Sequence, residues 1–112
     1  MKQHERHEHA LQVLHQAYMA FGEHPNPKEE HTINAALIPW LGWPASSAQI
    51  TEALATVATL NLRRQHRPGL VYQGYDVTPC DDLYQDALGE YEEQDERTLY
   101  TLIQEIENKA KE

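Results

Sequence analysis

Apolar residues recur every three to four positions in three segments of the first half of the chain. This period predicts amphipathic helices over residues 5–21, about 27–39 and about 47–60. Each segment is long enough for a stable helix in a folded domain. The apolar stripes are Leu11, Leu14, Ala17, Tyr18 and Phe21 in the first segment, Ile33, Ala36, Leu37 and Ile38 in the second, and Ile50, Ala53, Leu54, Val57 and Leu60 in the third.

The residues that flank these segments favour helix ends. Gly22 follows the first segment as a stop, and Asn26 precedes a proline in the manner of an N-cap before the second. Pro39 is expected to end or kink the second helix, because its ring removes a backbone donor. Ser46 or Ser47 can cap the third helix.

After residue 60 the apolar period changes from 3.6 to two, which is typical of strands. The stretches "LNLRRQ" (60–65) and "GLVYQGYDV" (69–77) alternate in this way, and "HRPG" between them has turn composition. We therefore predict a β-hairpin over about residues 62–77.

A long helix is predicted over about residues 79–110. Thr78 followed by Pro79 resembles a helix start, with Asp81 in the first turn. Gly89 and the run "EEQDE" weaken the middle, so one helix or two remain open. The apolar stripe comprises Tyr84, Leu88, Tyr91, Leu99, Leu102, Ile103 and Ile106.

Charge is distributed unevenly along the 112 residues, whose formal net charge is −9. Residues 1–31 carry −2, residues 32–75 carry +2, and residues 76–112 carry −9. The middle region, with three arginines within five residues, is the part suited to a phosphate backbone, and the last third would repel one.

Length and composition predict one domain, residues 1–112, that is mostly α with a small β-hairpin. The single cysteine, Cys80, forms no intrachain disulfide. The N-terminus lacks a signal-peptide core, and the apolar stretch around residues 35–43 is too short to span a bilayer. We expect a soluble, cytoplasmic protein with no membrane partner.

The order helix, helix, turn, helix, hairpin, helix resembles a winged helix-turn-helix domain. The run "INAALIPWLGWPASSAQITEALATVATLNLRRQHRPGLVYQGYDVTP" is similar in pattern to transcription regulators of the MarR, PadR and ArsR kinds. The likeness covers about residues 27–80, with the helix-turn-helix over about 27–61. PadR-type opening residues and ArsR-type metal ligands are not matched.

The resemblance implies a homodimeric transcriptional regulator that binds double-stranded DNA. The third helix would enter the major groove and the hairpin would lie along the phosphate backbone. The implied DNA-binding residues are Ser46, Ser47, Gln49, Glu52 and Thr56 on the helix, and Arg63, Arg64, His66 and Arg67 on the wing. The implied dimer interface is Tyr91, Leu99, Leu102, Ile103 and Ile106.

A second function stays open from the same residues. The third helix carries no Lys or Arg, and its Glu52 would lie near phosphates. The acidic C-terminal third could instead dock on a basic protein partner or imitate nucleic acid, as in small inhibitors of phage or plasmid type. The arginines favour DNA, whereas the net charge favours a basic protein.

Other chemistry is weakly indicated. The stretch "HERHEH" lacks the HExxH order of a metalloprotease, and a polar helix end explains it. Cys80 is expected to be an inert thiol, with a redox switch as the alternative. Trp40 and Trp43 either close the core or line a ligand pocket. We expect no enzymatic activity, metal or cofactor.

Overall fold

A computed structural model describes residues 2–109, although the side chain of residue 109 is not described. The prediction of a mostly α chain with a small hairpin is confirmed. The elements are α1 (Gln3–Phe21), α2 (Pro27–Leu41), α3 (Ser47–His66), β1 (Leu70–Tyr72), β2 (Tyr75–Val77) and α4 (Tyr84–Lys109).

The N-termini of α2 and α3 are both closed by reciprocal capping boxes. The Asn26 side chain accepts a hydrogen bond from the Glu29 amide at 2.8 Å, and the Glu29 carboxylate accepts one from the Asn26 amide at 2.9 Å. Ser46 and Gln49 make the same pair of bonds at the start of α3. The predicted N-cap at Asn26 is therefore confirmed, and of the two candidates Ser46 and Ser47 it is Ser46 that caps α3.

Helix α2 continues through Pro39 to Leu41, two residues beyond the predicted end. The proline removes one backbone donor, and the position four residues earlier, Ala35, is exposed to water that can satisfy its carbonyl. Gly42 ends the helix with φ of 74°, and its amide donates to the Ile38 carbonyl at 2.7 Å. Glycine fits this left-handed position without steric cost.

Helix α1 lies at the centre of the fold and packs against α2, α3 and α4. The main core contains buried side chains from all four helices. The predicted stripe of α3 is confirmed in full, because Ile50, Ala53, Leu54, Val57 and Leu60 are all buried. A smaller cluster under the hairpin contains Leu70, Val77, Tyr84 and Ala87.

The predicted strand over residues 60–65 is wrong, because α3 continues without interruption to His66. Leu60 is buried as the last member of the helical stripe, whereas Leu62 is 56% exposed. The apparent Leu-Asn-Leu alternation is therefore the end of a helix. Arginines in the last turn interact favourably with the helix dipole.

The hairpin is accordingly shorter than predicted and turns elsewhere. It turns at Gln73 and Gly74, whose φ angles of 54° and 83° identify a type I′ turn. Strand pairing is antiparallel, with Leu70 opposite Val77 and Tyr72 opposite Tyr75. The predicted turn at residues 66–69 is instead the link between α3 and β1.

Helix α4 begins at Tyr84 rather than at Pro79. The Asp81 carboxylate accepts from the Thr78 amide at 2.6 Å, and the Asp81 amide donates to the Thr78 carbonyl, so Thr78–Asp81 closes as a turn before the helix. From Tyr84 the helix runs unbroken through Gly89 for 26 residues. None of the helices within residues 2–109 combines the length and apolar character needed to cross a bilayer.

Candidate functional site

Most of the side chains on α3 that were predicted to read DNA bases form hydrogen bonds to the backbone of α3 itself. Ser46 and Gln49 are committed to the capping box, and the Thr56 hydroxyl donates to the Glu52 carbonyl at 2.9 Å. Ser47 and the Glu52 carboxylate remain exposed. The surface offers few free polar groups to base edges, and one of them is acidic.

Arg63 lies between α3 and α4 rather than on a wing. Its guanidinium is paired with the Asp95 carboxylate and stacks over the Tyr91 ring, 4.7 Å from the centroid. The side chains of Arg63 and Asp95 are only 17% and 21% exposed. A guanidinium held in this way is not free to contact phosphate.

Arg64, the next residue, makes a second link to α4. Its Nε donates to the Glu92 carboxylate at 2.9 Å, and this hydrogen bond raises the pKa of Arg64. Arg67 ends α3 in a left-handed conformation with φ of 46°, and its guanidinium lies 5.2 Å from the centre of the Tyr84 ring. His66 and Arg67 are exposed. Two of the three clustered arginines, Arg63 and Arg64, therefore link α3 to α4.

The apolar stripe of α4 that was predicted to form a dimer interface lies inside the single chain. Leu99, Leu102, Ile103 and Ile106 are at most 4% exposed and belong to the main core. Tyr91 is partly buried under the hairpin, and its hydroxyl donates to the Val71 carbonyl at 3.2 Å. The four aliphatic side chains therefore offer no surface to a second copy, and their placement within the core corrects that part of the predicted interface, whereas Tyr91 keeps some exposed surface.

The outward side of α4 carries three exposed acids, Asp86, Glu90 and Glu93, which we call the acidic ridge. Their spacing places them on one side of the helix, opposite the buried Tyr84 and Ala87. Glu93 also pairs with Arg97 at 2.9 Å, but both side chains are about 70% exposed, so the pair is weak. The ridge therefore keeps most of its negative charge.

The surroundings of the acidic ridge strengthen its negative potential. Residues 68–96 contain nine Asp and Glu and no Lys, Arg or His. Arg63 and Arg64, which contact α4 from α3, are already paired with Asp95 and Glu92, and Arg97 makes a weak exposed pair with Glu93. Unbalanced charges of one sign on one surface attract ligands of the opposite sign.

Large apolar side chains are exposed on and next to the hairpin. Tyr75 is 75% exposed, Val71 56% and Leu83 51%. Leu83 immediately precedes α4, whose N-terminal half packs under the hairpin. Apolar groups beside charged ones are typical of protein-binding surfaces, where they supply contacts that exclude water.

The histidine-rich N-terminus serves structure in two places. His7 is buried, and its Nε2 lies 3.3 Å from the Glu107 carboxylate, which also accepts bonds from Gln3 and Arg6. His4 pairs with Glu8 on the exposed side of α1. Among residues 2–109 no group of three or more His, Cys, Asp or Glu is arranged to hold a metal ion.

The remaining candidates divide between core and surface. Trp40 packs at the edge of the core and stacks on His9, with ring centroids 4.1 Å apart. Trp43 is 41% exposed, so it does not close the core. Cys80 is a free, exposed thiol in the turn before α4.

Glu107 is expected to make stability depend on acid pH. Burial opposes ionisation of this carboxyl, but His7, Arg6 and Gln3 outweigh it and lower its pKa below the usual value. The ionised carboxylate thus stabilises the fold above the unfolded-state pKa, and this contribution is lost as the pH falls through the lower folded-state pKa. We expect Glu107→Gln to cost about 1–3 kcal/mol at neutral pH, and this cost to shrink below about pH 4.

Urea denaturation of both proteins across the acid range measures this difference. Glu105→Gln is the control, since Glu105 is exposed on the same helix and should change stability by less than about 0.5 kcal/mol. A difference between wild type and Glu107→Gln that stays constant with pH would show that the bonds to Glu107 do not depend on its charge.

Comparison with known proteins assigns the chain to no family. No protein-family model matches the chain, no curated protein matches it, and no solved structure matches it.

Proposed function

We propose that this protein is a protein-binding module that docks on a Lys- and Arg-rich surface of a partner through the acidic ridge of α4, with a second contact at the hairpin, which packs on the opposite side of that helix. One observation carries the proposal. The acids of the ridge point outward, whereas Arg63 and Arg64, which had suggested DNA, point towards α4 and are paired with its acids.

Electrostatics would supply attraction and orientation rather than most of the affinity. Exposed ion pairs contribute little individually, but a surface of one sign accelerates the encounter with a partner of the opposite sign. The ridge residues Asp86, Glu90 and Glu93 follow one another along α4, so a partner's basic side chains can approach them together. This attraction should weaken as salt is added.

The exposed side chains of the hairpin would supply the apolar part of the interface. Burial of Tyr75, Val71 and Leu83 on binding would remove apolar surface from water, each side chain adding to affinity. Tyrosine is among the residues that contribute most at protein interfaces. The ridge would serve encounter and the hairpin retention, so the partner would have to extend around the N-terminal half of α4 to reach both.

DNA binding by a winged helix-turn-helix dimer is the second candidate. It is favoured by the exposed Ser47 at the start of α3 and by His66 and Arg67 at its end. With Arg63 and Arg64 paired to α4, however, few cationic groups per chain remain for phosphates, and counterion release would be small. Dimerisation would need a surface other than the buried stripe of α4.

A fluorescent oligolysine peptide tests the proposal by anisotropy at about 50 mM salt. The triple variant Asp86→Asn/Glu90→Gln/Glu93→Gln should weaken binding by about tenfold, because three modest charge contacts are lost together. The matched control is Glu5→Gln/Glu23→Gln/Glu52→Gln, which removes three exposed acids elsewhere and changes the net charge by the same amount.

The control variant should weaken binding by less than about threefold. Equal loss in both variants would mean that the peptide responds to net charge alone, and the ridge would not be a site. Tight binding of a DNA duplex by the wild-type protein, abolished by Arg67→Ala, would favour the second candidate.

A further inference from the structure

The two edges of the hairpin differ in how they are covered. The side of β1 that faces away from β2 lies against α4, where the Tyr91 hydroxyl donates to the Val71 carbonyl. Strand β2 has no strand on its other side, since the sheet consists of β1 and β2 within the described part of the chain. The outer edge of β2 is therefore the one at which a further strand can be added.

The register of the hairpin identifies the groups on that edge. In a two-residue type I′ hairpin the residues flanking the turn, Tyr72 and Tyr75, exchange hydrogen bonds. Because bonded and non-bonded pairs alternate, Val71 and Asp76 form a non-bonded pair. Their backbone groups point outwards, which agrees with the bond that Val71 accepts from Tyr91. The N–H and C=O of Asp76 point to the open edge of β2.

We propose that a basic, extended segment of the partner adds to the edge of β2 as a third strand. This inference rests on the proposed function and specifies how the partner binds. The Asp76 amide and carbonyl would pair with the incoming backbone, as in other cases of strand addition. The Asp76 side chain, exposed on the outer face, would meet a Lys or Arg of that segment.

Charge beyond the C-terminal end of the strand favours a basic occupant. Asp81 lies four residues after β2, with its carboxylate 2.6 Å from the Thr78 amide, and Asp82 follows it exposed. On the other face of the sheet the exposed Tyr75 ring offers an apolar contact. An incoming strand with alternating basic and apolar residues would match both faces, because successive side chains point to opposite sides.

A second copy of the protein fits this edge poorly. Symmetric antiparallel pairing of two β2 strands about their central residue would place Asp76 directly opposite Asp76. Like charges at opposed positions destabilise strand pairs, and each chain carries a net charge of −9. The charge of the edge thus selects a basic partner over self-association.

Two peptides of about eight residues and equal charge test strand addition on the full-length protein. One alternates Lys with Val and can extend a sheet, and the other is the same peptide with every backbone amide N-methylated and cannot, because no amide donor remains. Hydrogen exchange of the Asp76 amide, measured by NMR, should slow at least about tenfold with saturating Lys-Val peptide and remain unchanged with the N-methylated peptide.

The outcomes separate this inference from the proposed function. If both peptides shift the resonances of the acidic ridge equally and neither protects the Asp76 amide, strand addition is wrong and docking on the ridge stands. If neither peptide binds, both proposals fail. The Asp76→Asn variant removes the charge but keeps the edge amide. Weaker binding of the Lys-Val peptide to this variant would support the charge contact of the Asp76 side chain. Protection of the residue 76 amide that is retained at saturation would support the backbone pairing.

Discussion

Replacement of Ile103 by alanine is expected to lower the free energy of unfolding by about 2–5 kcal/mol. Ile103 is fully buried in the main core, where α4 packs against α1 and α3, so truncation leaves a cavity that the surrounding helices fill only in part. The measurement is urea denaturation followed by circular dichroism. We also expect sedimentation to give the same mass for variant and wild type.

Thr101→Ala is the matched control for Ile103→Ala. Thr101 is exposed on the same helix, and its hydroxyl donates to the Arg97 carbonyl, so the change should stay within about 0.5 kcal/mol. A wild-type dimer that becomes a stable folded monomer on Ile103→Ala would contradict the core position of this residue. That result would restore the α4 stripe as a subunit interface.

The second large effect is expected at Arg63. Arg63→Ala should destabilise the protein by about 1–3 kcal/mol, because it leaves Asp95 partly buried without its charge partner and removes the cation stacked on Tyr91. In a double-mutant cycle with Asp95→Ala the two losses should not add, with a coupling free energy of about 1 kcal/mol or more.

The neighbouring pair provides the comparison for this cycle. Arg64 and Glu92 are 47% and 27% exposed, so their coupling should be about 0.5 kcal/mol and should fall further in high salt. If Arg63→Ala left stability unchanged and instead weakened DNA binding, Arg63 would be a phosphate contact as the winged-helix resemblance implied.

Local signals predicted much of the fold. The 3.6-residue period identified the buried stripe of α3 completely, and the caps at Asn26 and Ser46 form the expected bonds. The strand prediction for residues 60–65 was wrong because the Leu-Asn-Leu sequence fits both a strand and the end of a helical stripe. Arg63 and Arg64, good helix formers, then extend α3. Pro68-Gly69 has the composition of a turn, but the chain reverses at Gln73-Gly74.

The functional surface depended on contacts that local patterns do not reveal. Arg63 and Arg64 find their acids 32 and 28 residues away on α4, so their clustering in the sequence indicated a basic surface that the fold neutralises. The stripe containing Leu99 and Ile103 was correctly recognised as apolar, but a domain core and a dimer interface require the same pattern. Only packing against α1 and α3 distinguishes them.

The most direct test of the central claim is an NMR titration of the isotope-labelled full-length protein with oligolysine and, separately, with a DNA duplex at the same low salt. The account predicts that oligolysine shifts the resonances of Asp76, Asp86, Glu90 and Glu93, and that the duplex leaves the spectrum unchanged. Shifts at Ser47, Glu52 and Arg67 with the duplex, and none with oligolysine, would contradict the proposed acidic docking surface.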